Sequence, residues 1–302
     1  MAKSAFVAIV GRPSSGKSTL LNALCGAKVS IVSPVPQTTR NAVRGIINRD
    51  EGQLVFIDTP GFHISERKLN IKLKNVALSA LGDADIVVYV LDSTREPGPE
   101  EEALASNFSV PSGSADTVYK GSRRKMVVAI NKIDAKDADV ARAVQFVAEH
   151  LPAATIVRIS ALTGEGLDEL VSALLGMAEE GPQWYPPEYY TDQDPVFRIA
   201  EIIREKAINH TREELPHALF IDFVDSRRLN DGSLEASYDI VVERESQKGI
   251  VIGKGGSMIK VIREEAEADL AELFDYPVHL RLQVRVDPSW KHDDKRLDSL
   301  IF

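Results

Sequence analysis

The chain has 302 residues, 44% of them hydrophobic and 27% charged, which is typical of a globular protein long enough for two domains. A net charge of −9 and an isoelectric point near 5.3 exclude a protein that coats nucleic acid with its whole surface, although a local basic patch is compatible with them. The single cysteine, Cys25, excludes an intramolecular disulfide and indicates a reducing compartment.

The first predicted element is a buried strand, Ala5 to Val10, followed by a glycine-rich loop and a helix that begins near Lys17. The loop fits G-x-x-x-x-G-K-[ST], whose backbone N–H groups cradle phosphate oxygens beside a helix N-terminus. Lys17 supplies a charge for the β/γ-phosphates and the Ser18 hydroxyl a ligand for Mg²⁺. A plain glycine turn is the alternative, and the strand–loop–helix context disfavours it. The residues predicted to line the phosphate site are Gly11, Ser14, Ser15, Gly16, Lys17, Ser18 and Thr19.

Residues Ile31 to Val43 are rich in Pro, Ser and Thr without a sustained period, which predicts a mobile loop. The side-chain hydroxyls of Thr38 and Thr39 could complete the coordination shell of a magnesium ion, and Thr39 is the predicted ligand. Threonine is also common in ordinary loops, so the prediction of a magnesium ligand here depends on the motif that follows, D-T-P-G.

A predicted strand, Leu54 to Ile57, ends in the sequence D-T-P-G. A carboxylate at the carboxyl end of such a strand belongs beside the phosphate loop, so Asp58 is a predicted magnesium ligand. Gly61 has a backbone N–H that can reach a γ-phosphate oxygen, which predicts a pivot that moves when that phosphate is lost. An ordinary turn is the weaker alternative.

The rest of the first half alternates strands and helices, as in a doubly wound sheet. The predicted strands are Asp85 to Leu91, Met126 to Ile130 and Ile156 to Ile159; the helices are Glu100 to Phe108 and Gly166 to Leu175, and 109–124 is an exposed loop.

The motif N-K-x-D follows one of these strands and predicts the base. Asp134 can accept hydrogen bonds from the N1–H and the N2 amino group of guanine, whereas adenine offers no such donor pair on that edge. An adenine would leave a poorly paired carboxylate. Asn131 is predicted to tie this loop to the phosphate loop, and the stem of Lys132 to cover one face of the base. Ser160 and Ala161 follow the next strand, and the Ala161 N–H is predicted to face the guanine O6.

Gly181 to Pro195, crowded with proline and aromatic residues, is predicted to be a semi-rigid connector. After it the patterns predict a helix, two antiparallel strands with a turn at Asn230-Asp231-Gly232, a helix, a third strand and a charged C-terminal helix. In order, these elements are Phe197 to Asn209, His217 to Val224, Ser237 to Glu243, Ser257 to Phe274, Val278 to Val286 and Asp287 to Leu300.

The sequence G-x-x-G lies between two helical stretches of the second half, where nucleic-acid backbone can approach without meeting a side chain. Between residues 244 and 263 there are five basic residues and one acidic residue, a local charge of +4. A flexible turn and a solvated helix face would explain either feature alone; together they favour RNA contact. The predicted RNA-binding residues are Lys248, Ile252, Gly253, Lys254, Gly255, Gly256 and Lys260, and Ile250, Val251, Ile252 and Ile259 could line a groove for bases.

Residues 3 to 178 resemble the GTPase superfamily in the order of these motifs, and the second half resembles the type II KH domain. The first resemblance implies that Lys17, Thr39 and Gly61 serve GTP hydrolysis. Phe62 stands where many GTPases have the glutamine that orients water, which implies slow hydrolysis or another route. Ser14 replaces the asparagine usual in the related subfamily, which puts potassium activation in doubt.

The pairing of the two domains, with ESQKGIVIGKGGSMIK and DPSWKHDDKRLDSL, is similar to the Era GTPase family. This resemblance implies an α/β P-loop GTPase domain with a doubly wound, mostly parallel sheet, and a smaller α+β type II KH domain. The predicted boundaries are 1–180, a linker at 181–195, and 196–302. It also implies GTP or GDP with Mg²⁺ as cofactors, and binding to the 3′ end of 16S rRNA and to small ribosomal subunit precursors in 30S assembly and rRNA maturation. We expect a cytoplasmic monomer, with peripheral membrane association as an open alternative.

Two rival interpretations remain at this point. One is an RNA-binding module in which GTP is a slowly hydrolysed structural ligand, which Phe62 motivates. The other is a P-loop ATPase or nucleotide kinase, against which Asp134 argues.

Overall fold

The computed structural model describes residues 2–35, 38–61, 68–108, 125–211, 215–291 and 293. The chain divides into two compact units, one built from 1–30 and 39–192, the other from 31–38 and 193–299. The predicted boundaries at 180 and 195 stay predictions. The units differ from them in two places, because 181–192 falls with the first unit and 31–38 with the second.

A seven-stranded sheet forms the centre of the first unit. Its helices and strands are β1 (Lys3–Val10), α1 (Lys17–Cys25), β2 (Val43–Arg49), β3 (Gly52–Asp58), α2 (Lys68–Asp83), β4 (Ile86–Asp92), α3 (Pro99–Ser106), β5 (Lys125–Asn131), α4 (Val140–His150), β6 (Thr155–Arg158), α5 (Leu167–Met177) and β7 (Glu179–Glu180). The strand order is β2-β3-β1-β4-β5-β6, with β7 paired to β1. All neighbours are parallel except β2 on β3 and β7 on β1, which are antiparallel.

Burial explains why these segments became strands. Every residue of β3 and β4 is buried, as is the carboxyl half of β1, because a parallel sheet is covered on both faces and takes continuous apolar runs. The carboxyl ends of β1, β3, β4, β5 and β6 therefore meet at one edge, where a doubly wound fold holds its ligand. The predicted α/β fold with a mostly parallel sheet is confirmed.

The connector is fastened to the first unit by hydrogen bonds along β2 and β3. The fully buried Gln53 accepts from the Trp184 and Tyr185 N–H groups through Oε1, and donates through Nε2 to the Tyr185 carbonyl and the side chain of Asn48. The Ile46 N–H donates to the carbonyl of Tyr190. Residues 184–190 are thus ordered by hydrogen bonds to β2 and β3 as well as by their proline content.

The second unit is a three-stranded sheet with helices packed against it. Its elements are α6 (Pro195–Asn209), β8 (Leu219–Arg228), β9 (Leu234–Val242), α7 (Glu245–Ile252), α8 (Ser257–Leu273) and β10 (Val278–Val286), with 3-10 turns at Leu215–His217 and Lys254–Gly256. The strand order is β10-β9-β8, where β8 and β9 are antiparallel and β9 and β10 are parallel. From α6 to β10 this is the order predicted for the smaller α+β domain, with two helices flanking the G-x-x-G sequence before the third strand, and it is confirmed.

The core of the second unit also takes in residues from the segment before Thr39. Ile31 is buried among apolar side chains of α6, β8, β9, α8 and β10, and Val35 packs against the same cluster. The Thr38 carbonyl accepts a 2.7 Å hydrogen bond from Arg204 Nη2 on α6. The described parts of 31–42 contain no helix or strand, as expected, but Val43 begins β2.

Three predictions fall outside the described residues or reach beyond them. Phe62 and the loop at 109–124 are outside. Of the expected C-terminal helix, 287–291 and 293 are described, and 288–291 form turns. No described helix has the length and apolar character that a bilayer crossing requires.

Candidate nucleotide and RNA sites

The phosphate loop lies between β1 and α1 with the geometry that its glycines predict. Gly16 caps α1 in a left-handed conformation, φ 97°, and a Cβ there would collide with the side-chain amide of Asn131. Ser14 also has a positive φ, 62°, and its side chain is exposed, while Ser15 is fully buried. These positive φ values are those of a loop whose backbone N–H groups can turn inward, and we predict that the phosphates bind to this loop, between Gly11 and Thr19.

Lys17 and Asp58 form the electrostatic centre of this loop. Both side chains are buried, with residue exposures of 6% and 0%. Burial lowers the pKa of Lys17 to about 8, and the neighbouring Asp58 carboxylate opposes the change. Burial raises the pKa of Asp58, against Lys17 and hydrogen bonds from Ser18 and Ser30. The Lys17 ammonium donates to the carbonyl of Arg12 at 2.9 Å, so a phosphate would have to replace that backbone acceptor.

Oxygen atoms suited to magnesium converge beside Lys17. Ser18 Oγ lies 2.7 Å from Asp58 Oδ2 and 3.0 Å from Thr39 Oγ1, and Ser30 Oγ donates to Asp58 Oδ2 at 2.8 Å. Asp58 Oδ1 is buried and has no hydrogen-bond partner in the described structure. Mg²⁺ prefers one or two carboxylates with hydroxyl, water and phosphate oxygens, so this donor set fits the ion. Ser30 is a member of the cluster that the sequence analysis missed.

Gly61 lies against the phosphate loop. A Cβ at this position would come within 2.8 Å of the backbone nitrogen of Pro13, so only glycine permits the observed approach. The structure thus brings the end of the D-T-P-G sequence to the loop predicted to hold the phosphates. The residue that follows, Phe62, is outside the described residues.

The base-binding motif is joined to the phosphate loop through Asn131. Its Nδ2 donates to the carbonyl of Ser15 at 2.9 Å, and its Oδ1 accepts from the Ala161 N–H at 2.9 Å. Ser160 Oγ donates to Asp134 Oδ1 at 2.5 Å, which orients that exposed carboxylate. The Ala161 N–H, predicted to face guanine O6, here donates to Asn131. The residues predicted to recognise the base and to grip the phosphates are therefore connected by hydrogen bonds.

Lys132 lies at the junction of the two loops in a left-handed conformation, φ 66°. Its ammonium donates to the Ser14 carbonyl at 2.9 Å and to Asp92 Oδ2 at 2.7 Å. Arg12 of the phosphate loop lies 3.6 Å from the same carboxylate oxygen and 3.1 Å from Glu101. Sequence reasoning missed all three. Asp92 ends a strand, the signal that identified Asp58, whereas Arg12 and Glu101 are revealed only by their tertiary contacts.

The candidate RNA surface is the turn between α7 and α8. Gly253, Gly255 and Gly256 all have positive φ, and a Cβ at either of the last two would meet nothing within 4 Å. Lys254 is exposed, and its side chain forms no ion pair or hydrogen bond with the residues that the structure describes. Lys260 is exposed and lies 3.7 Å from Glu264. The turn is therefore exposed, and the Lys254 ammonium is available to neutralise a nucleic-acid phosphate.

The apolar side chains beside this turn divide into core and surface. Val251 is fully buried and cannot contact a base directly, whereas Ile259 packs on the core of the unit but is only partly buried. Ile250 is 55% exposed, and Ile252 and Lys248 are partly exposed. Of the proposed groove residues, Ile250 is the most exposed, Ile252 and Ile259 are partly exposed, and Val251 belongs to the core.

Comparison with known proteins gives the same division of the chain. A family model described as "50S ribosome-binding GTPase" matches residues 6–132, and a KH domain model matches residues 214–291. The fold and both candidate sites thus define a P-loop GTPase followed by a KH domain.

Similar proteins extend the match to the full length. The protein named GTPase Era from Borreliella burgdorferi is 44% identical over 300 residues, and that from Treponema denticola is 46% identical over 303, each with 99% of both chains covered. The chain belongs to the GTPase Era family, and it is a GTPase. A solved structure of an Aquifex aeolicus Era variant bound to GDP.AlF4⁻ aligns with a TM-score of 0.89 at 36% identity, covering 98% of each chain. Era in complex with MgGDPNP and nucleotides 1506–1542 of 16S ribosomal RNA aligns at 0.90 and 35% identity, covering 99% of this chain and 98% of that one.

Proposed function

We propose that this GTPase is a switch that binds the 3′ end of 16S rRNA through its KH domain and acts in small-subunit assembly and rRNA maturation, as a monomer in the cytoplasm. The observation that carries the proposal is the pairing of an ordered guanine-type nucleotide site with an open, basic G-x-x-G turn in one chain. The similar Era structure bound to a 16S rRNA fragment supports this assignment.

In the proposed nucleotide site each group has a separate task. Lys17 and Gly61 contact the γ-phosphate, and Ser18, Thr39 and Asp58 hold the magnesium ion. A bound magnesium ion supplies positive charge that neutralises the phosphate oxygens as the terminal phosphoryl group is transferred to water. Asp134, with Asn131, Lys132, Ser160 and Ala161, selects and positions guanine. The phosphate loop backbone from Gly11 to Thr19 binds the remaining phosphate oxygens.

In the proposed RNA site the turn from Gly253 to Gly256 contacts the sugar–phosphate backbone. Lys248, Lys254 and Lys260 supply charge, and Ile252 contacts a base. Such domains hold about four nucleotides of single strand, and unpaired bases stack or insert where the surface is apolar. Phosphate neutralisation makes the affinity fall with salt concentration.

Direct binding tests the RNA assignment. We expect Lys254→Glu to weaken binding of a single strand derived from the 3′ end of 16S rRNA by about tenfold, because a favourable phosphate contact becomes repulsive. Lys136→Glu makes the same charge change at an exposed position of the first unit and is the control. Equal affinities for the two variants would contradict the RNA site.

Single-turnover GTP hydrolysis tests the switch. We expect purified 30S subunits to accelerate hydrolysis, and 50S subunits, to which the name of the matching GTPase family refers, to leave it unchanged. Acceleration by 50S subunits alone would contradict the proposal and identify the large subunit as the partner. No acceleration by either would favour the RNA-binding module with GTP as a structural ligand.

A further inference from the structure

Asp92 is a buried carboxylate at the place where the two nucleotide-binding motifs meet. It ends β4 and pairs in register with Asn131 at the end of β5. Its side chain is 1% exposed. A carboxylate buried this deeply is costly unless it is well paired, which makes its partners informative.

The partners of Asp92 belong to both motifs. Oδ2 lies 2.7 Å from the Lys132 ammonium, which also donates to the Ser14 carbonyl of the phosphate loop at 2.9 Å. The Arg12 guanidinium, from the same loop, is 3.6 Å from Oδ2. One carboxylate thus holds the lysine predicted to cover the base and lies beside the start of the loop predicted to hold the phosphates.

The carboxylate is itself held in place. Oδ1 accepts from Thr94 Oγ1 at 2.6 Å and from the Thr94 N–H at 3.0 Å. Burial raises the pKa of Asp92, but hydrogen bonds from Lys132 and Thr94 outweigh it and leave the pKa below its usual range. The group is therefore charged at neutral pH in the nucleotide-free protein.

We propose that Asp92 is a positioning residue for guanine-nucleotide binding, which fixes Lys132 against the phosphate loop before the nucleotide arrives. The proposal rests on the nucleotide site described above. A free lysine side chain must lose rotamer freedom on covering a base, and prior fixation removes that cost from binding. The effect passes through Lys132, so removing Lys132 abolishes it.

A double-mutant cycle with fluorescent GDP tests this role in the full chain. Asp92→Asn keeps the shape and removes the charge, and we expect the dissociation constant for GDP to rise about tenfold. In a Lys132→Met background the same change has less than about a twofold effect. Asp85→Asn is the matched control, because Asp85 precedes the other end of β4 and accepts the Phe6 N–H; we expect no change in GDP affinity.

The proposal would be overturned if Asp92→Asn lowered the affinity for GDP equally with and without Lys132, because a general structural role does not depend on Lys132. No loss of affinity in either background would also overturn it. If Asp92→Asn does not fold by circular dichroism, Thr94→Val removes the hydroxyl that orients the carboxylate and enters the same cycle. We then expect Thr94→Val to lower the affinity for GDP by at least about threefold, and to have no effect in the Lys132→Met background. An equal loss of affinity in both backgrounds, or no loss in either, would overturn the proposal. A wild-type chain that does not bind GDP would overturn the nucleotide site and this inference together.

Discussion

The ammonium of Lys17 is the residue-scale feature with the clearest chemical consequence. In the free protein burial lowers its pKa to about 8, whereas phosphates bound beside it, as we propose, would favour the charged form and raise the pKa. Nucleotide binding therefore takes up a proton when the pH is above the free value. Affinity is then independent of pH below about 7 and falls by up to about tenfold per pH unit above 8.

Titration of the chain with GDP between pH 6.5 and 9.5 measures this decline. The Lys17→Met variant binds more weakly and reports the part of any decline that comes from ionisation of the base itself. A wild-type decline no steeper than that of Lys17→Met would show that Lys17 does not carry the linkage.

At the scale of elements, Gln53 fastens the connector to the sheet. All of its amide hydrogen-bonding capacity is used inside the protein, twice by Oε1 and twice by Nε2. We expect Gln53→Leu to lower the free energy of unfolding by about 3 kcal/mol, because it leaves buried backbone groups of the connector unpaired. Urea unfolding measures this change.

The matched control for Gln53 is Gln145→Leu, which removes a hydrogen bond to Glu149 on the exposed face of α4. We expect that control to change stability by less than about 0.5 kcal/mol. Limited proteolysis near residues 184–190 should accelerate only in Gln53→Leu. Protection equal to wild type would mean that the connector is held by other contacts.

Elements with a strong pattern were predicted from sequence to within a few residues. β10 agrees at both ends, and β4 and β5 within one residue, because their apolar runs are continuous or strictly alternating. β2 was missed, since Val43–Arg49 contains Arg44 and Gly45 and pairs antiparallel at the edge of the sheet. α2 and α4 were not predicted either.

The candidate site divides in the same way. Motif residues such as Lys17, Asp58 and Asp134 could be named in advance, because their spacing carries a mechanism. Ser30 could not, because it enters the site only through tertiary contacts between segments distant in sequence, and Asp92 has the strand-end position of Asp58 but no motif to single it out. The inclusion of 31–38 in the second unit likewise depends on packing that no local pattern encodes.

At the scale of the whole molecule, that segment supplies a route for coupling. Its last residue, Thr38, has its carbonyl bound by Arg204 within the second unit, and the next residue is the predicted magnesium ligand Thr39. If GTP and GDP place Thr39 differently, they bias how 31–38 packs. If RNA binds the second unit as we propose, and favours one packing of 31–38, reciprocity requires that it alter nucleotide affinity by the same factor.

The wild-type coupling can be measured as the logarithm of the ratio between the RNA dissociation constants of the GTP-analogue and GDP forms. We expect Arg204→Gln to reduce this logarithm to less than about half of its wild-type value. GDP affinity without RNA should stay within about twofold. The control is Lys206→Gln. Lys206 lies on α6, as Arg204 does, and the substitution breaks its ion pair with Asp269 of α8. If Arg204→Gln kept the wild-type difference in RNA affinity between the two nucleotide forms, coupling through residues 31–38 would be excluded.

The measurement that tests the account most directly is nucleotide titration of the wild-type chain and of Asp134→Asn. We predict that the wild type binds GDP at least about a thousandfold more tightly than ADP, because only guanine offers the donor pair for the Asp134 carboxylate. Asp134→Asn should lose most of that preference and bind xanthosine diphosphate, whose C2 carbonyl accepts from an amide, more tightly than GDP. Asp137→Asn, a nearby exposed carboxylate, should behave as wild type. Equal binding of GDP and ADP by the wild type, or unchanged selectivity in Asp134→Asn, would contradict the account.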